Sequence, residues 1–362
     1  MTTAAPGSQR PARERRPSWP RRAVLASVGG TAAAMLALSA CGSSPASSSA
    51  GAGSAGGAAG DGQTTITVAY VPSPQFEPLF VAMQDGYFTQ QHLDVRLTQV
   101  ASDQSATTLA ATNKVQVALS GFSAGMFNAI HQGSGLKVVG SMGEEASGTP
   151  ANALVGAASL DKTGKVTSPA GLQGEKIAVD GGAGSAGAYL LAQALAPYHL
   201  SLSQVTLVNV KPSAMAEALQ AGTVAAAYMP APYLSAAVSA GQAKVLAAAP
   251  AGIATTGVLY GSAFASTPAA QQFFSALAEA AGLLQGPAPS FPVNLTLVAQ
   301  ATGESLSVLE KAPQSDFSPN LAPSSSLLND MQNVFLSAKE LNYGTAIPTS
   351  SYVEGTFSTS LG

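Results

Sequence analysis

Cysteine is almost missing: Cys41 is the only one among 362 residues. No disulfide can form within the chain, and no Cys-x-x-Cys redox or zinc motif can be built. Histidine is scarce, with His92, His131 and His199 scattered along the sequence and no HExxH pair. Gly121-Phe122-Ser123-Ala124-Gly125 has the GxSxG spacing, but a lone short match gives a serine nucleophile only weak support, and a zinc hydrolase has none. Arginine is confined to the start: beyond Cys41 the only one is Arg96. Removing residues 1–40 takes away six Arg and one Glu, leaving 10 basic and 18 acidic residues, a net charge of −8. A chain of that balance lacks the basic stripe that nucleic acid binding requires. Long apolar runs are absent outside the first 40 residues, so nothing later has the length to span a bilayer as a helix.

The head is organised. Arg10, Arg13, Arg15, Arg16, Arg21 and Arg22 stand against one acid, Glu14, and precede the uncharged stretch Ala23 to Ala40. A charged segment, an apolar segment and small residues before a cleavage point make a secretory signal. Leu38-Ser39-Ala40-Cys41 resembles the lipobox of bacterial lipoproteins, in which the thiol receives a diacylglycerol and becomes the new N-terminus. A single transmembrane anchor is the alternative, but Ala, Gly, Ser and Thr dominate the stretch. Arg21-Arg22 followed by Ala23-Val24-Leu25 also looks like a twin-arginine signal, leaving that route and the general secretory one both open. Residues 41–63 are mostly Gly, Ala and Ser and cannot bury enough surface to fold. Such a coil reaches roughly 25 Å on average. The expected location is therefore extracytoplasmic, tethered by lipid through a leash.

Beyond the leash, strands and helices alternate. Ile66 and Val68 alternate with threonines in a strand over 65–70, followed by a proline-rich loop at Val71-Pro72-Ser73-Pro74. A helix with Pro78 in its first turn and Leu79, Phe80 and Met83 on one face ends at Gly86. Strands are expected at 93–100 and over Val115, Val117 and Leu119, with a helix entered near Ser102 or Asp103 between them. This succession predicts an α/β body with mostly parallel strands. Leu109 to Ala118 and Leu219 to Ala227 echo each other as helix end, turn and strand, the second turn being one residue shorter. Two similar halves would set equivalent strand-end loops across a cleft, where ligands of open α/β sheets sit.

Pro78-Leu79-Phe80-Val81-Ala82, Gly86-Tyr87-Phe88 and Leu93-Asp94-Val95 resemble the opening of the solute-binding proteins for nitrate, sulfonates, taurine and thiamine-pyrimidine precursors. His92 stands where that group usually has Gly. Leu136 to Val139, Gly171 to Val179 and the repeat ending at Val224 agree in order. The resemblance implies a type II periplasmic-binding-protein clamshell, with lobe one at 64–151, lobe two at 152–249, and 250–362 returning to lobe one. It implies a monomer that captures a small-molecule solute and delivers it to an ABC permease with its ATPase, without a cofactor or metal. A thiamine-pyrimidine-synthase-like enzyme and a solute-sensing receptor lipoprotein are the alternatives.

The Gly181-to-Gly187 loop lies between a strand ending at Val179 and a helix through Tyr189. Glycines there allow close backbone approach and the helix start offers free N–H groups; the family's use of this loop points to Gly184, Ser185 and Ala186. Gln75 and Phe76 in the first loop, Ser120, Gly121, Phe122 and Ser123 after a lobe-one strand, and Tyr228, Met229 and Tyr233 after the echoing strand complete the candidate cleft. Glu144 is expected to approach it from the Glu144-Glu145 pair. Thr255 and Thr256, on the return crossing, either donate hydroxyls or form a plain loop. With Arg96 far from these loops, bidentate anion recognition is thinly supported. A neutral or mildly cationic ligand, stacked on Phe76, Phe122 or Tyr228, is the expectation.

Overall fold

Thr64–Tyr70 (β1) opens the folded body of the protein, whose structure, a computed structural model, describes residues 62–158 and 168–361. The signal-like head, Cys41 and the leash up to residue 61 lie outside the described residues. β1 is buried on both faces: Ile66, Val68 and Tyr70 enter one core and Ala69 another. The first sheet runs β2-β1-β3-β10-β4, with β2 at Leu93–Gln99, β3 at Val117–Gly121, β4 at Lys137–Ser141 and β10 at Thr256–Tyr260. The second runs β7-β6-β8-β5-β9, from Asn152–Ala157 (β5), Lys176–Val179 (β6), Thr206–Asn209 (β7), Ala226–Pro230 (β8) and Ala243–Ala247 (β9). Position for position the two orders match, so β3 and β8, the strands of the sequence echo, occupy equivalent places. Asn113 and Gly222 take left-handed backbone conformations in the two turns leading into them, with φ of 53° and 68°.

The expectation of mostly parallel strands holds for four of the five strands in each sheet, and β10 and β5 run against the rest. β1 pairs parallel with β2 and β3, and β6 with β7 and β8. β10 runs antiparallel to β3 and β4, and β5 antiparallel to β8 and β9. The cause is the path of the chain. β5 and β10 are the first strands after each crossing between sheets, so they start where the βα strands end and run away from that place. Helices cover both faces of each sheet, giving four apolar clusters. That double cover explains why all of β3, Val-Ala-Leu-Ser-Gly, is buried rather than alternating.

Seven of the helices among the described residues matter most for the cleft walls and the cores behind them. They are α1 (Glu77–Gln84), α2 (Asp103–Ala111), α3 (Ala124–His131), α4 (Ala186–Leu195), α5 (Pro212–Gln220), α6 (Pro268–Leu283) and α7 (Ser325–Ser337). α1 buries Leu79 and Phe80 as its pattern predicts, while Met83 is exposed. α7 packs against α3 and α4 together, and its Asp330 accepts hydrogen bonds from Tyr189 Oη at 2.8 Å and Gln193 Nε2 at 2.9 Å.

His92 explains the usual glycine at its position. It has φ 57° immediately before β2, and its carbonyl accepts the Thr64 N–H at 2.9 Å. A side chain in that conformation is strained, and glycine is not. His92→Gly is therefore expected to stabilise the fold by about 0.5–1 kcal/mol, measured as a higher midpoint of guanidinium unfolding; an unchanged or lower midpoint would reject the strain.

Candidate functional site

The ends of both sheets face one cleft of about 690 Å³. The first sheet contributes Gln75 after β1, Gly121 and Ser123 at the end of β3, and Thr255 and Thr256 where β10 begins. The second contributes Asn152 where β5 begins, Asp180 through Gly187 after β6, and Tyr228 and Pro230 at the end of β8. Glu340, just past α7, closes one side.

Three helices start at this cleft, each capped by a serine. Ser102 Oγ accepts the Ser105 N–H at 3.2 Å, Ser123 Oγ the Met126 N–H at 3.3 Å, and Ser185 Oγ the Ala188 N–H at 3.2 Å. Such caps use the N–H of the third helical residue and leave the first N–H groups for something else. One of those is already used across the cleft: the Ala124 N–H donates to the Gly184 carbonyl at 2.9 Å. The approach is close enough to demand glycine, because a Cβ on Gly184 would lie 2.8 Å from Ala124 Cβ. A Cβ on Gly121 would likewise lie 2.9 Å from Asp103 Oδ2 and 3.3 Å from Ala186 Cβ.

The charge of the lining is negative. Asp103, Asp180 and Glu340 line the cleft, and no Lys, Arg or His is among the described lining residues. Asp103 Oδ1 accepts the Gly121 N–H at 3.0 Å. Burial pushes the Asp103 carboxyl up and the neighbouring Asp180 charge pushes the same way, against the bonds from Gly121 and Ser120. Burial also raises Asp180, opposed by the Gly181 amide and by Lys211, which lies outside the lining.

Polar groups without partners collect at the floor. Tyr228 is 3% exposed and Thr256 6% exposed, yet Tyr228 Oη and Thr256 Oγ1 have no hydrogen-bond partner of normal geometry among the described residues. Glu145 sits beneath them between the two crossings. Its N–H donates to the Ile253 carbonyl at 3.0 Å and its carbonyl accepts the Gly252 N–H at 2.8 Å. Asn152 Nδ2 donates to Glu145 Oε1, while Oε2 is unpartnered. Burial pushes the Glu145 carboxyl up to about 7, against the bonds from Asn152. The Tyr228 phenol is raised by burial and by the Glu145 charge, with the Ala249 amide opposing.

Gln75, Gly121, Ser123, Gly184, Ser185, Ala186 and Tyr228 lie together in the cleft lining. Phe76, Ser120, Phe122 and Met229 do not: all four are buried in the cores. Along β3 the side chains alternate, and Ala118 and Phe122 fall on the face covered by α2, α3 and α7. The Phe122 ring fills space over Gly257 rather than facing the cleft. Ser120 Oγ is engaged with Thr107 Oγ1 at 3.1 Å. With Phe76 and Phe122 turned inward, the expected stacking platform is reduced to Tyr228. Tyr233 lies outside the lining, half-exposed on its own short helix. Glu144 also lies outside it; its N–H donates to the Asp316 carbonyl at 2.8 Å, and burial followed by the Asp316 charge raises its carboxyl. The member of that acidic pair under the cleft is Glu145.

Asp103, Asp180, Asn152 and Glu340 were not signalled as ligand contacts. Asp180 had a usable signal, an acid between a strand end and a glycine run. Asp103 reads as an ordinary first-turn acid behind its Ser102 cap. Glu340 has no local signal, since only the packing of α7 brings it to the cleft.

Comparison with known proteins agrees with this architecture. Residues 73–283, more than half of the chain, match the NMT1/THI5-like family. No curated protein matches the sequence. Among solved structures, the chain is similar to the alkanesulfonate-binding protein SsuA of Xanthomonas axonopodis pv. citri bound to MOPS, at 20% identity and TM-score 0.63, covering 80% of this chain and 98% of that one. It is similar to the periplasmic aliphatic sulphonate-binding protein SsuA of Escherichia coli at 16% identity and TM-score 0.63, covering 80% and 92%. The periplasmic nitrate-binding protein NrtA of Synechocystis PCC 6803 aligns at 11% identity and TM-score 0.63, covering 83% and 88%. At these identities the likeness is one of fold, the type II periplasmic-binding-protein fold, and the chain belongs to the NMT1/THI5-like family.

Proposed function

We propose that this chain is the solute-binding component of an ABC importer, working as a monomer outside the cytoplasm and held to the membrane by lipid on Cys41. The two sheets with their helices are the two lobes, 64–151 with 250–362 and 152–249, and the solute sits between them. The observation that carries this reading is the meeting of two α/β halves of matching strand order at one cleft, joined by two crossings and entered by three helix starts. Solved proteins of similar fold bind sulfonates or nitrate, and another is the ligand-binding component of an ABC-type import system of Staphylococcus aureus, which supports capture and delivery as the task. His92, His131 and His199 all lie outside the lining, and His131 stacks on Tyr343 at 4.3 Å; this favours binding over catalysis.

The purified chain, unfolded to strip bound solute and refolded, is expected to take up one small molecule from spent growth medium or cell extract. Native mass spectrometry reads this as a one-to-one adduct, and a solute at a hundred times its Kd stabilises the fold by about 2.7 kcal/mol. No adduct and no thermal shift in either mixture would reject solute binding. Cys41→Ser is expected to release the protein from membranes; retention of the variant would reject the lipid anchor.

A further inference from the structure

We propose that the cleft takes a small organic cation, its charged nitrogen held among Asp103, Asp180 and Glu340 and its polar end bonded by Tyr228 and Thr256. This rests on the solute-binding reading above and names the ligand's charge class.

The lining is the first support. Three carboxylates face a space without a lysine, arginine or histidine among its described residues. The helix starts at the cleft supply positive potential, but each is worth roughly half a charge at most. Three of them offset about half of three carboxylates, so the net field still favours a cation. Groups that would receive an anion are also partly used by the protein itself. The Gly121 N–H is taken by Asp103 and the Ala124 N–H by the Gly184 carbonyl. An anionic solute would have to displace a carboxylate from the former and break a contact across the cleft at the latter.

The floor is the second, independent support. Tyr228 Oη and Thr256 Oγ1 are buried, lie in the lining and have no hydrogen-bond partner of normal geometry among the described residues. Leaving a hydroxyl so is costly, on the order of the loss of a hydrogen bond, unless a ligand fills the place. Both hydroxyls can donate or accept, so they fit an uncharged hydroxyl, ether, carbonyl or amide at the other end of the solute. Burial raises both Asp103 and Asp180, and the Asp180 charge raises Asp103 further; a cation between them relieves these effects.

The test begins with the adduct taken from extract. Released from the protein, it is expected to be retained by a cation exchanger at neutral pH; a solute held only by an anion exchanger overturns the proposal while leaving solute binding intact. Calorimetry then compares choline, putrescine and benzylamine with methanesulfonate and nitrate. At least one amine is expected to bind, more weakly as salt rises, and both anions to bind far more weakly or not at all. Asp103→Asn keeps an acceptor for the Gly121 N–H, and Glu340→Gln alters only a cleft wall. Each is expected to weaken the bound amine, or the positively charged adduct, by about 10- to 100-fold with unchanged far-ultraviolet circular dichroism. Tyr228→Phe is expected to weaken the adduct without changing the salt dependence. Unchanged affinity in both acid variants, or tighter binding of sulfonate or nitrate than of every amine, sinks the idea.

Discussion

Glu77→Gln is expected to raise folding stability at pH 8 by on the order of 4 kcal/mol and to change it little at pH 4.5. Glu77 opens α1, is 1% exposed, and its Oε1 has no hydrogen-bond partner among the described residues. Burial alone pushes its carboxyl from 4.5 up to about 8. The folded state therefore holds a proton that the unfolded chain has released between those values. Where the native state binds more protons, stability falls as pH rises. Below pH 4.5 both states are protonated and the group contributes nothing; above 8 the full cost of burying a carboxylate is present. Glutamine keeps the shape and removes the titration. Guanidinium unfolding of both proteins at pH 4.5, 6 and 8 should show stability curves that diverge as pH rises. Parallel curves would mean that Glu77 is solvated or paired. A smaller slope of the same sign should survive in the variant, because Glu145 is raised to about 7 for the same reason.

The second large effect is expected at Gly257, on the interior strand β10 of the first sheet. Gly257→Ala should cost roughly 3 kcal/mol, at the upper end of ordinary overpacking. Its new Cβ would lie 2.3 Å from Phe122 Cζ and 2.4 Å from the Gly140 carbonyl oxygen. The ring could turn, but the oxygen belongs to β4, paired with β10 on that side. Phe122→Leu combined with Gly257→Ala should recover only part of the loss, since the backbone clash remains. Gly282→Ala is the control. It lies in α6 with open space where its Cβ would go, so it should stabilise by about 0.5–1 kcal/mol. If Gly257→Ala unfolds at the same denaturant concentration as the parent, the tight packing of β10 is wrong.

Much of the fold was legible because local signals and chain order agreed. The threonine-rich β1, the Pro-Leu-Phe-Val-Ala start of α1, the Ser102 cap and the turns at Asn113 and Gly222 fall where the patterns place them. Orientation within β3 was not legible. A strand buried on both faces has no polar side to fix its phase, so Phe122 reads equally as cleft wall or core. The reversal of β5 and β10 was hidden for a different reason: strand direction is set by where a crossing delivers the chain, and crossings carry no periodicity. Site residues behaved likewise. The glycine loop announces itself by composition, whereas Asp103 and Glu340 gain their meaning only from what packs opposite them. Within the Glu144-Glu145 pair, only the crossing geometry decides which carboxyl turns beneath the cleft.

The contact from Ala124 N–H to the Gly184 carbonyl joins the two halves through main-chain atoms alone. No substitution of a side chain can delete either atom, short of proline at position 124. Any parting of the halves breaks that bridge, whatever the chemistry of a guest in the cleft. Affinity can then be retuned by the residues inside while the residence clock is kept by the scaffold. Sequences that change their preferred cargo could in this way retain the tempo at which they hand it over.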